Sequence, residues 1–576
     1  MLNISSKKHS YIIGVLFIIF LGACRKQLEQ VPQSDLTEES FWKTSADLRT
    51  ASNYLYSYLP GLAGSIQPFQ DIYSDIAFSS SGNSISNGSR EIPASTGEWS
   101  LNYKLIRAAN SIILNAPNVT GTAADIARYI GEARFFRAWA YFELMKRWGD
   151  VQIATRPIST STDTLLYARR SSRQQVIDLI YSDLDYAAAN CPQPDVMAAT
   201  DYGRITRTAA LGFKSRVALF AGTWDKARGI ATANGNLQTA VEAAQTVITE
   251  GRHGLYTAQG ANSYAYEFQY DGGPAGNPVT IDIGAEKNYT YSSNKENLIV
   301  RLYGVSLGNN IASHSFVRSG LEQGGIVGTK NLVDMYLYKD GLPAGKSAWD
   351  SSVNQTSSLT DFRNRDPRLS ATYWIKGETY PQNSGLTQFA PGIIYKIKKM
   401  FVVSEWRQQT SFYNYNVLRY AEVLLNYAEA KFELDGSISD ADLNITINAL
   451  RNRATGSDVT KLPLLTNAFA GINGLSMRDE IRRERTVELA FEGFRYWDLL
   501  RWKIAETILP QAIKGRRYFP GESGSGTIPN NLDANNFLIL EPVSNRTFNA
   551  GKDYLWPVPS GEITLSNGAI SQNAGW

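Results

Sequence analysis

Apolar positions recur at the spacing of an amphipathic helix along most of the chain. Leu105, Ile106, Ala109 and Ile112 lie three or four residues apart, which places them on one face of a helix. The same spacing recurs elsewhere, often before a glycine that can end a helix. The pattern predicts helices over residues 41–59, 99–115, 125–148 and 172–190.

Later helical patterns come in pairs. Residues 206–220 are followed by Gly222, which is expected to break the helix, and then by a second pattern over residues 237–250. The arrangement returns over residues 417–434 and 441–453. These pairs loosely resemble tetratricopeptide-type repeats. The predicted fold class is mainly α, a tetratricopeptide-like scaffold of helix pairs with long irregular ligand-binding loops on one side.

Two long stretches show no helical period. Residues 256–300 and 306–390 are rich in Gly, Asn, Ser and aromatic residues. Irregular segments this long are uncommon in compact domains unless they carry function, and their aromatic content argues against disorder. We expect them to contribute to a ligand-binding face. A third loop, residues 515–536, contains GESGSG and is expected to be solvated.

The chain begins with the pattern of a secretory signal. Lys7 and Lys8 precede an apolar run over residues 11–21. That run is shorter than the ~20 residues that span a bilayer and has the length of a signal core. The run LGAC follows and ends at Cys24; it resembles a bacterial lipobox. This resemblance implies that Cys24 is lipidated, and the alternative is a plain signal peptide with a chance cysteine.

Charge and cysteine content limit the possible partners. Of 57 basic and 54 acidic residues, the segment 1–23 holds two lysines and no acid, so the mature chain carries about one net positive charge. Such a balance gives no general attraction for nucleic acid or anionic lipid. The chain has two cysteines. With Cys24 lipidated, Cys191 has no disulfide partner, and we interpret it as a partly buried residue rather than a nucleophile.

Motifs for catalysis are missing from the sequence. It contains no HExxH, no CxxC pair, no GxSxG and no phosphate loop. A glycosidase needs only two carboxylates, so that alternative stays open. No cofactor is predicted. The acidic run DIYSD, with Asp71 and Asp75, could hold a structural cation such as calcium, or could simply cap a helix.

Aromatic residues make up 11% of the chain, and 31 of them are tyrosines. Rings of this kind stack on sugars, while polar side chains bond sugar hydroxyls. Trp99 could instead belong to a helix core, and Tyr303 lies in a strand-like run, IVRLYG. The candidates for stacking are Trp99, Tyr289, Tyr291, Tyr303 and Trp349, and the candidates for hydrogen bonding are Asn83, Asn294 and Arg318.

Four runs, in order, identify a family. They are GEARFFRAWAYFELMKRWGDVQIA from Gly131, VLRYAEVLLNYAEA from Val417, MRDEIRRERTVELAFEGFRYWDLLRW from Met477, and YLWPVPSGEITLSNGAISQNAGW at the end. Together they resemble the SusD/RagB family of Bacteroidetes outer-membrane lipoproteins, and the shorter runs NLVDMYLYKDGLP and RDPRL agree. In the third run, neighbouring Arg and Glu side chains are expected to pair along the helix. A catalytic role for Glu488 or Glu492 is disfavoured because arginines would keep both ionised.

The resemblance implies a function. Members sit at the cell surface, bind glycans or in some cases oligopeptides, and deliver them to SusC-like TonB-dependent transporters. A lipid-anchored, non-enzymatic protein of the outer membrane, facing outside, is therefore expected, with no nucleic-acid partner. The sequence has CRKQLEQ after the lipobox, where surface-exported members often carry an acidic run, which weakens the expectation of surface exposure. A glycoside hydrolase is the less favoured alternative.

The resemblance also implies how the chain is organised, with everything after residue 40 forming one compact unit. The expected segments are a signal peptide over residues 1–23, a lipidated tether over 24–40, an N-terminal helical region over 41–255, a loop-rich region over 256–416 and a C-terminal region over 417–576.

Overall fold

The computed structural model describes most of the chain from residue 41 onward. No helix in this part is long and apolar enough to cross a membrane. The predicted signal peptide, lipobox and tether lie outside the described residues. These are residues 41–576 without 63–66, 81, 159, 269–293, 304–313, 324, 351–354, 383–384, 391, 393, 403–405, 407–413 and 523–527.

Helices that pack against their neighbours in sequence form the first half of the fold. Polar caps start them: the Thr96 hydroxyl accepts a hydrogen bond from the Trp99 N–H at 3.1 Å, and Ser172 forms a capping box with Gln175. The helices are α1 (Ser45–Leu55), α2 (Gly97–Asn115), α3 (Ala123–Trp148), α4 (Arg173–Asn190), α5 (Arg207–Lys226) and α6 (Ala233–Glu250).

Gly222 does not break its helix, contrary to the sequence-based prediction. It lies inside α5, and a Cβ at this position would come within 2.7 Å of the Leu237 side chain and 2.8 Å of the Leu237 backbone nitrogen. The glycine allows α5 and α6 to approach each other. Its role is therefore close packing rather than helix termination.

The C-terminal half repeats the pairing with interruptions. Residues 417–419 were predicted as helix. They belong to a strand instead, and α10 begins at Tyr420. The predicted partner helix is divided at Thr446. The remaining helices are α7 (Ser263–Glu267), α8 (Lys330–Met335), α9 (Pro367–Thr372), α10 (Tyr420–Asp435), α11 (Asp440–Ile445), α12 (Ile447–Thr455), α13 (Asn467–Ile472), α14 (Met477–Glu488), α15 (Arg495–Arg501), α16 (Ala505–Ile508) and α17 (Ser560–Leu565).

Several short strands lie in stretches that the sequence predicted as irregular chain, and β2 overlaps the run IVRLYG, which was predicted as strand-like. Among the described residues they form two-stranded antiparallel ladders that pair β1 with β3, β2 with β6, β4 with β5 and β7 with β8. The long loop regions are thus tied to the helices at several points. The strands are β1 (Ala77–Ser79), β2 (Asn297–Arg301), β3 (Ile326–Gly328), β4 (Thr379–Gln382), β5 (Gly385–Gln388), β6 (Tyr415–Arg419), β7 (Ile513–Arg517) and β8 (Phe537–Glu541).

A buried ion-pair cluster, the Glu488 cluster, joins several elements of the C-terminal half. Glu488 contacts Arg419 at 2.7 Å and Arg368 at 3.1 Å, and it also pairs with Arg453. Arg419 in turn contacts Glu492 at 2.8 Å. All five side chains are at most 3% exposed. The ions come from a strand end and several helices, so the cluster fixes how these elements meet.

The prediction of ion pairs along α14 needs correction. Arg483 does pair with Glu480 on the same helix at 3.3 Å. Glu484, however, bonds Arg368 at 2.6 Å and Arg451 at 3.1 Å, both from other parts of the chain. Because α14 is buried on several sides, Glu484 pairs with arginines from other parts of the chain and not with its helix neighbours.

The predicted fold class, mainly α with paired helices, is confirmed.

Candidate ligand-binding face

The short ladder between β1 and β3 brings two predicted ligand residues to one edge of the fold. Ser79 pairs with Ile326, and the Ser80 N–H donates to the Gly325 carbonyl at 3.3 Å. Asn83 follows β1 closely, and Arg318 precedes β3 on a π-helical turn, Phe316–Glu322. Both side chains therefore lie on segments that leave the same end of the ladder.

Arg318 is held over an aromatic ring. Its Nε lies 3.2 Å from Glu322 Oε2, and its guanidinium carbon lies 5.4 Å from the centre of the Trp406 ring. The Trp406 Nε1–H donates to the same Glu322 oxygen at 2.7 Å, while Lys396 Nζ donates to the Glu322 carbonyl at 2.6 Å. The Arg318 side chain is 20% exposed. Its position is fixed, yet part of it reaches solvent.

Lys396 adds a second cation beside Glu322. It is placed by a bridge in which the Gly328 N–H donates to the Tyr395 carbonyl at 2.9 Å. Burial lowers the pKa of Lys396, and the Glu322 carboxylate opposes that shift. The candidate ligand-binding face, called the ligand-binding face below, consists of residues 79, 80, 82, 83 and 316–323 with Lys396 and Trp406.

Asn83 presents an amide at this face. Its Oδ1 accepts hydrogen bonds from the Ile85 N–H at 2.9 Å and the Ser86 N–H at 3.1 Å, which forms an Asx turn. Within the part of the chain that the structure describes, its Nδ2 has no hydrogen-bond partner. The turn fixes the side chain and leaves an amide donor for a ligand oxygen.

Trp99 is removed from the predicted ligand residues by its burial. It is 3% exposed at the start of α2, with its ring 5.0 Å from Trp148 and 5.3 Å from Tyr103. A ring enclosed by other rings offers no face to a sugar. The helical stripe that contains Trp99 was the correct signal, and it indicated the core.

Tyr303 and Asn294 are also buried, at 2% and 1% exposure. The Tyr303 hydroxyl accepts the Leu62 N–H at 2.6 Å, so this ring braces the chain beneath the surface. Asn294 Nδ2 donates to both carboxylate oxygens of Glu267 at 3.0 and 3.1 Å. Both residues hold segments in place beneath the surface.

The other predicted aromatic residues lie elsewhere. Trp349 is 46% exposed, and Lys339 Nζ lies 3.7 Å from the centre of its ring. The turn that carries it is fixed by Lys346, which donates to the Asn473 and Gly474 carbonyls. The turn that carries Trp349 therefore packs beside the end of α13. Tyr289 and Tyr291 lie outside the described residues.

The acidic run before β1 serves the fold. Asp71 accepts the Gly493 and Arg495 N–H groups at 3.0 and 3.1 Å, and Asp75 forms an ion pair with the Arg495 side chain at 2.8 Å. These carboxylates are occupied by protein donors. In the described ranges, no group of three or more His, Cys, Asp or Glu side chains is placed to hold a metal ion.

Glu488 and Glu492 have no access to a substrate. Burial by itself raises the pKa of Glu488, but Arg453, Arg419 and Arg368 outweigh it, so the pKa lies well below its ordinary value. A carboxylate that stays ionised, buried and paired is a poor proton donor. Cys191 is likewise buried, and burial raises the pKa of its thiol.

Sequence reasoning missed Glu322, Lys396 and Trp406. Glu322 could have been found, because it stands four residues after Arg318 on a helical turn. Lys396 and Trp406 reach Glu322 from 74 and 84 residues away, and no local pattern marks them. Lys396 reaches the face because its neighbour Tyr395 bridges to β3, and Trp406 reaches it through its hydrogen bond to Glu322.

Comparison with known proteins identifies relatives of both halves. Residues 288–576 match a family model described as the SusD family, and residues 28–219 match one described as starch-binding associating with outer membrane. The chain is 25% identical to SusD-like protein P2 of Formosa agariphila, over 99% of this chain and all of the relative. It is 24% identical to a SusD-like protein of Bacteroides ovatus, over 87% of this chain and 83% of the relative.

Solved structures share the fold. A SusD-like carbohydrate-binding protein of Bacteroides fragilis aligns with a TM-score of 0.71 at 24% identity, covering 91% of this chain and 99% of that one. A structure described with a xylogluco-oligosaccharide aligns with a TM-score of 0.61 at 21% identity, covering 91% and 97%. The similarity extends over the helical scaffold and the loop-rich region together.

Proposed function

Because this chain belongs to the SusD family, we propose that it is an outer-membrane lipoprotein that binds a glycan and passes it to a SusC-like TonB-dependent transporter. The names of its relatives support the binding half of this proposal. One is described as carbohydrate-binding, another was solved with a xylogluco-oligosaccharide, and the N-terminal family model is described as starch-binding.

The observation that carries the proposal is the construction of the ligand-binding face. Arg318 and Lys396 provide donors beside Glu322, and Asn83 provides an amide from the facing segment. Sugar hydroxyls need both donors and acceptors in fixed positions, and this set supplies both. The groups are braced by neighbours before any ligand arrives, which lowers the entropy lost on binding.

The direct test compares two arginines with nearly the same surroundings. Arg318 and Arg482 each have 20% of the side chain exposed, an ion pair to a glutamate and a tryptophan ring beneath the guanidinium. Affinity electrophoresis against a panel of neutral glycans should show that Arg318→Ala weakens binding about tenfold or more. Arg482→Ala should bind as the wild type does, and equal binding by both variants would contradict the proposal.

Binding and catalysis give different time courses. A binder gives a saturable signal with no product, whereas a glycoside hydrolase releases reducing ends over time. We expect no new reducing ends after prolonged incubation with any glycan that binds. If an oligopeptide is the ligand, a peptide array will give the saturable signal that the glycan panel lacks.

The anchor and the partner need separate tests. Cys24→Ala should release the protein from the membrane fraction, and continued attachment would refute the lipid anchor.

Protease treatment of whole cells should cleave the wild-type protein if it faces outside. Purification of the protein from gently solubilised membranes should recover a large barrel transporter, and recovery of the protein alone would count against the uptake complex.

A further inference from the structure

A polar groove beside α1 shares no residue with the ligand-binding face. It has a volume of about 380 Å³ and runs between α1, residues 200–204 and the end of β2. Tyr202, Gly203 and Arg204 also line an adjoining cavity of about 260 Å³. The two cavities share this wall, and the function proposed above uses neither of them.

Positive charge exceeds negative charge on the α1 side of the groove. Asp201 pairs with Arg49 at 2.7 Å and with Arg128 at 2.8 Å. Behind them Arg204 pairs with Glu132 at 2.6 Å. These three arginines face two carboxylates, so one positive charge is left over.

Arg301 adds a second positive charge. Its Nη1 donates to three backbone carbonyls of the turn that ends α1, at 2.8 to 2.9 Å. Those acceptors are neutral, and no carboxylate pairs with Arg301 in the part of the chain that the structure describes. In the adjoining cavity Asp195 is neutralised by Arg252. The net charge of about plus two is therefore concentrated beside α1.

Exposed polar and aromatic side chains border this charge. Arg49 is 46% exposed, and Asn53 and Ser57 follow it at helical spacing along the same wall. Tyr54 follows Asn53 directly on α1 and lies outside the groove lining. It is 57% exposed, and its hydroxyl lies 2.8 Å from that of Tyr58. The two rings meet edge to face, 5.4 Å apart. Tyr58 meets the Tyr54 ring at an edge, and the exposed part of the Tyr54 ring could stack on a sugar ring.

We propose that this groove is a second binding site, for an acidic saccharide. A carboxylate or sulfate group on the sugar would accept hydrogen bonds from Arg49 and Arg301, and an adjacent sugar ring would stack on Tyr54. This inference rests on the proposed function in that its ligand is a saccharide. It differs in the site, which is the groove beside α1, and in the ligand, which is acidic.

The experiment uses the purified mature protein and trigalacturonate, with its methyl ester as an uncharged match and a sulfated disaccharide as a second acid. Calorimetry at low salt should show trigalacturonate binding at least tenfold more tightly than the ester, and added salt should weaken it. Binding of the sulfated sugar alone would place sulfate rather than carboxylate in the site. Absence of binding by both acids, or equal binding of acid and ester, would overturn the proposal.

Matched variants locate the site. Arg49→Gln should weaken acid binding about tenfold, whereas Arg156→Gln should not, although Arg156 is 49% exposed and pairs with an aspartate in the same way. Tyr54→Ala should weaken binding, and Tyr167→Ala, at a tyrosine 43% exposed elsewhere, should not. Equal affinities within either pair would overturn the assignment. All variants should still bind the neutral glycan at the ligand-binding face, so failure of that function would be seen separately.

Discussion

The Glu488 cluster and the ligand-binding face use the same chemistry for opposite purposes. Each sets an arginine against a glutamate, and in each an aromatic ring lies near the guanidinium. Arg419, in the cluster, is 1% exposed and contacts three glutamates. Arg318, on the face, is 20% exposed and pairs with one. The difference is access to solvent: the buried pair stabilises the fold, and we propose that the partly exposed pair binds a ligand.

The comparison also explains why the family resemblance says more about the fold than about the ligand. The runs from Val417 and Met477 contribute the buried charges, where any change leaves an ion without its partner. The ligand-binding face is made from segments that lack a regular pattern of hydrophobic positions. A resemblance carried by the first kind of residue identifies the scaffold and does not name the sugar.

The largest effect is expected at the Glu488 cluster. Glu488→Gln leaves Arg453 and Arg419 buried with one anion fewer, which should lower the free energy of unfolding by about 3–5 kcal/mol. Urea denaturation measures this. As a control, Asp435→Asn breaks an exposed pair with Lys431 and should leave the unfolding midpoint unchanged. A Glu488→Gln protein as stable as the control would show that the cluster does not hold the fold together.

A packing change should have the next largest effect. Gly222→Ala forces a methyl group against Leu237 and should cost about 1–3 kcal/mol of stability. Gly235→Ala is the matched change in α6, since nothing lies within 4 Å of that Cβ position; stability there should hold or rise by up to about 1 kcal/mol. The same thermal shift for both variants would refute the close approach of α5 and α6.

A smaller, pH-dependent effect is expected from His253. Burial lowers its pKa to about 4, and the ring bonds the Thr208 hydroxyl and the Lys295 carbonyl, each at 2.8 Å. Between its ordinary pKa of 6.5 and about 4, the unfolded chain binds more protons than the folded one, so stability falls as the pH falls. The contribution is at most about 1.4 kcal/mol per pH unit. His253→Gln should show a shallower slope than the wild type, and identical slopes would contradict this.

The sequence predicts the scaffold well because its signals are local. The apolar stripe of α2 acts within a few residues, and the helix that it predicts is present. Gly222 shows the limit of that reasoning, because its purpose depends on Leu237 from another helix. A glycine that ends a helix and one that lets two helices touch look alike in a sequence.

The ligand-binding face could be predicted only in part. Asn83 and Arg318 lie on the face that we propose, and their role stays a prediction, while Trp99, Tyr303 and Asn294 are buried. Aromatic and amide side chains brace a core as readily as they bind sugars, and burial depends on tertiary contacts that no short window contains. Arg318 was a more informative candidate than the aromatic and amide side chains. A guanidinium ion must either pair with an anion or stay in contact with water, and Arg318 does both.

Hydrogen exchange with and without a saturating glycan tests most directly where the ligand binds. We expect slower exchange in peptides covering residues 79–86 and 316–323, with little change in α10 and α14, which are already buried. Protection confined to the helices of the scaffold, with none at residues 79–86 and 316–323, would contradict it.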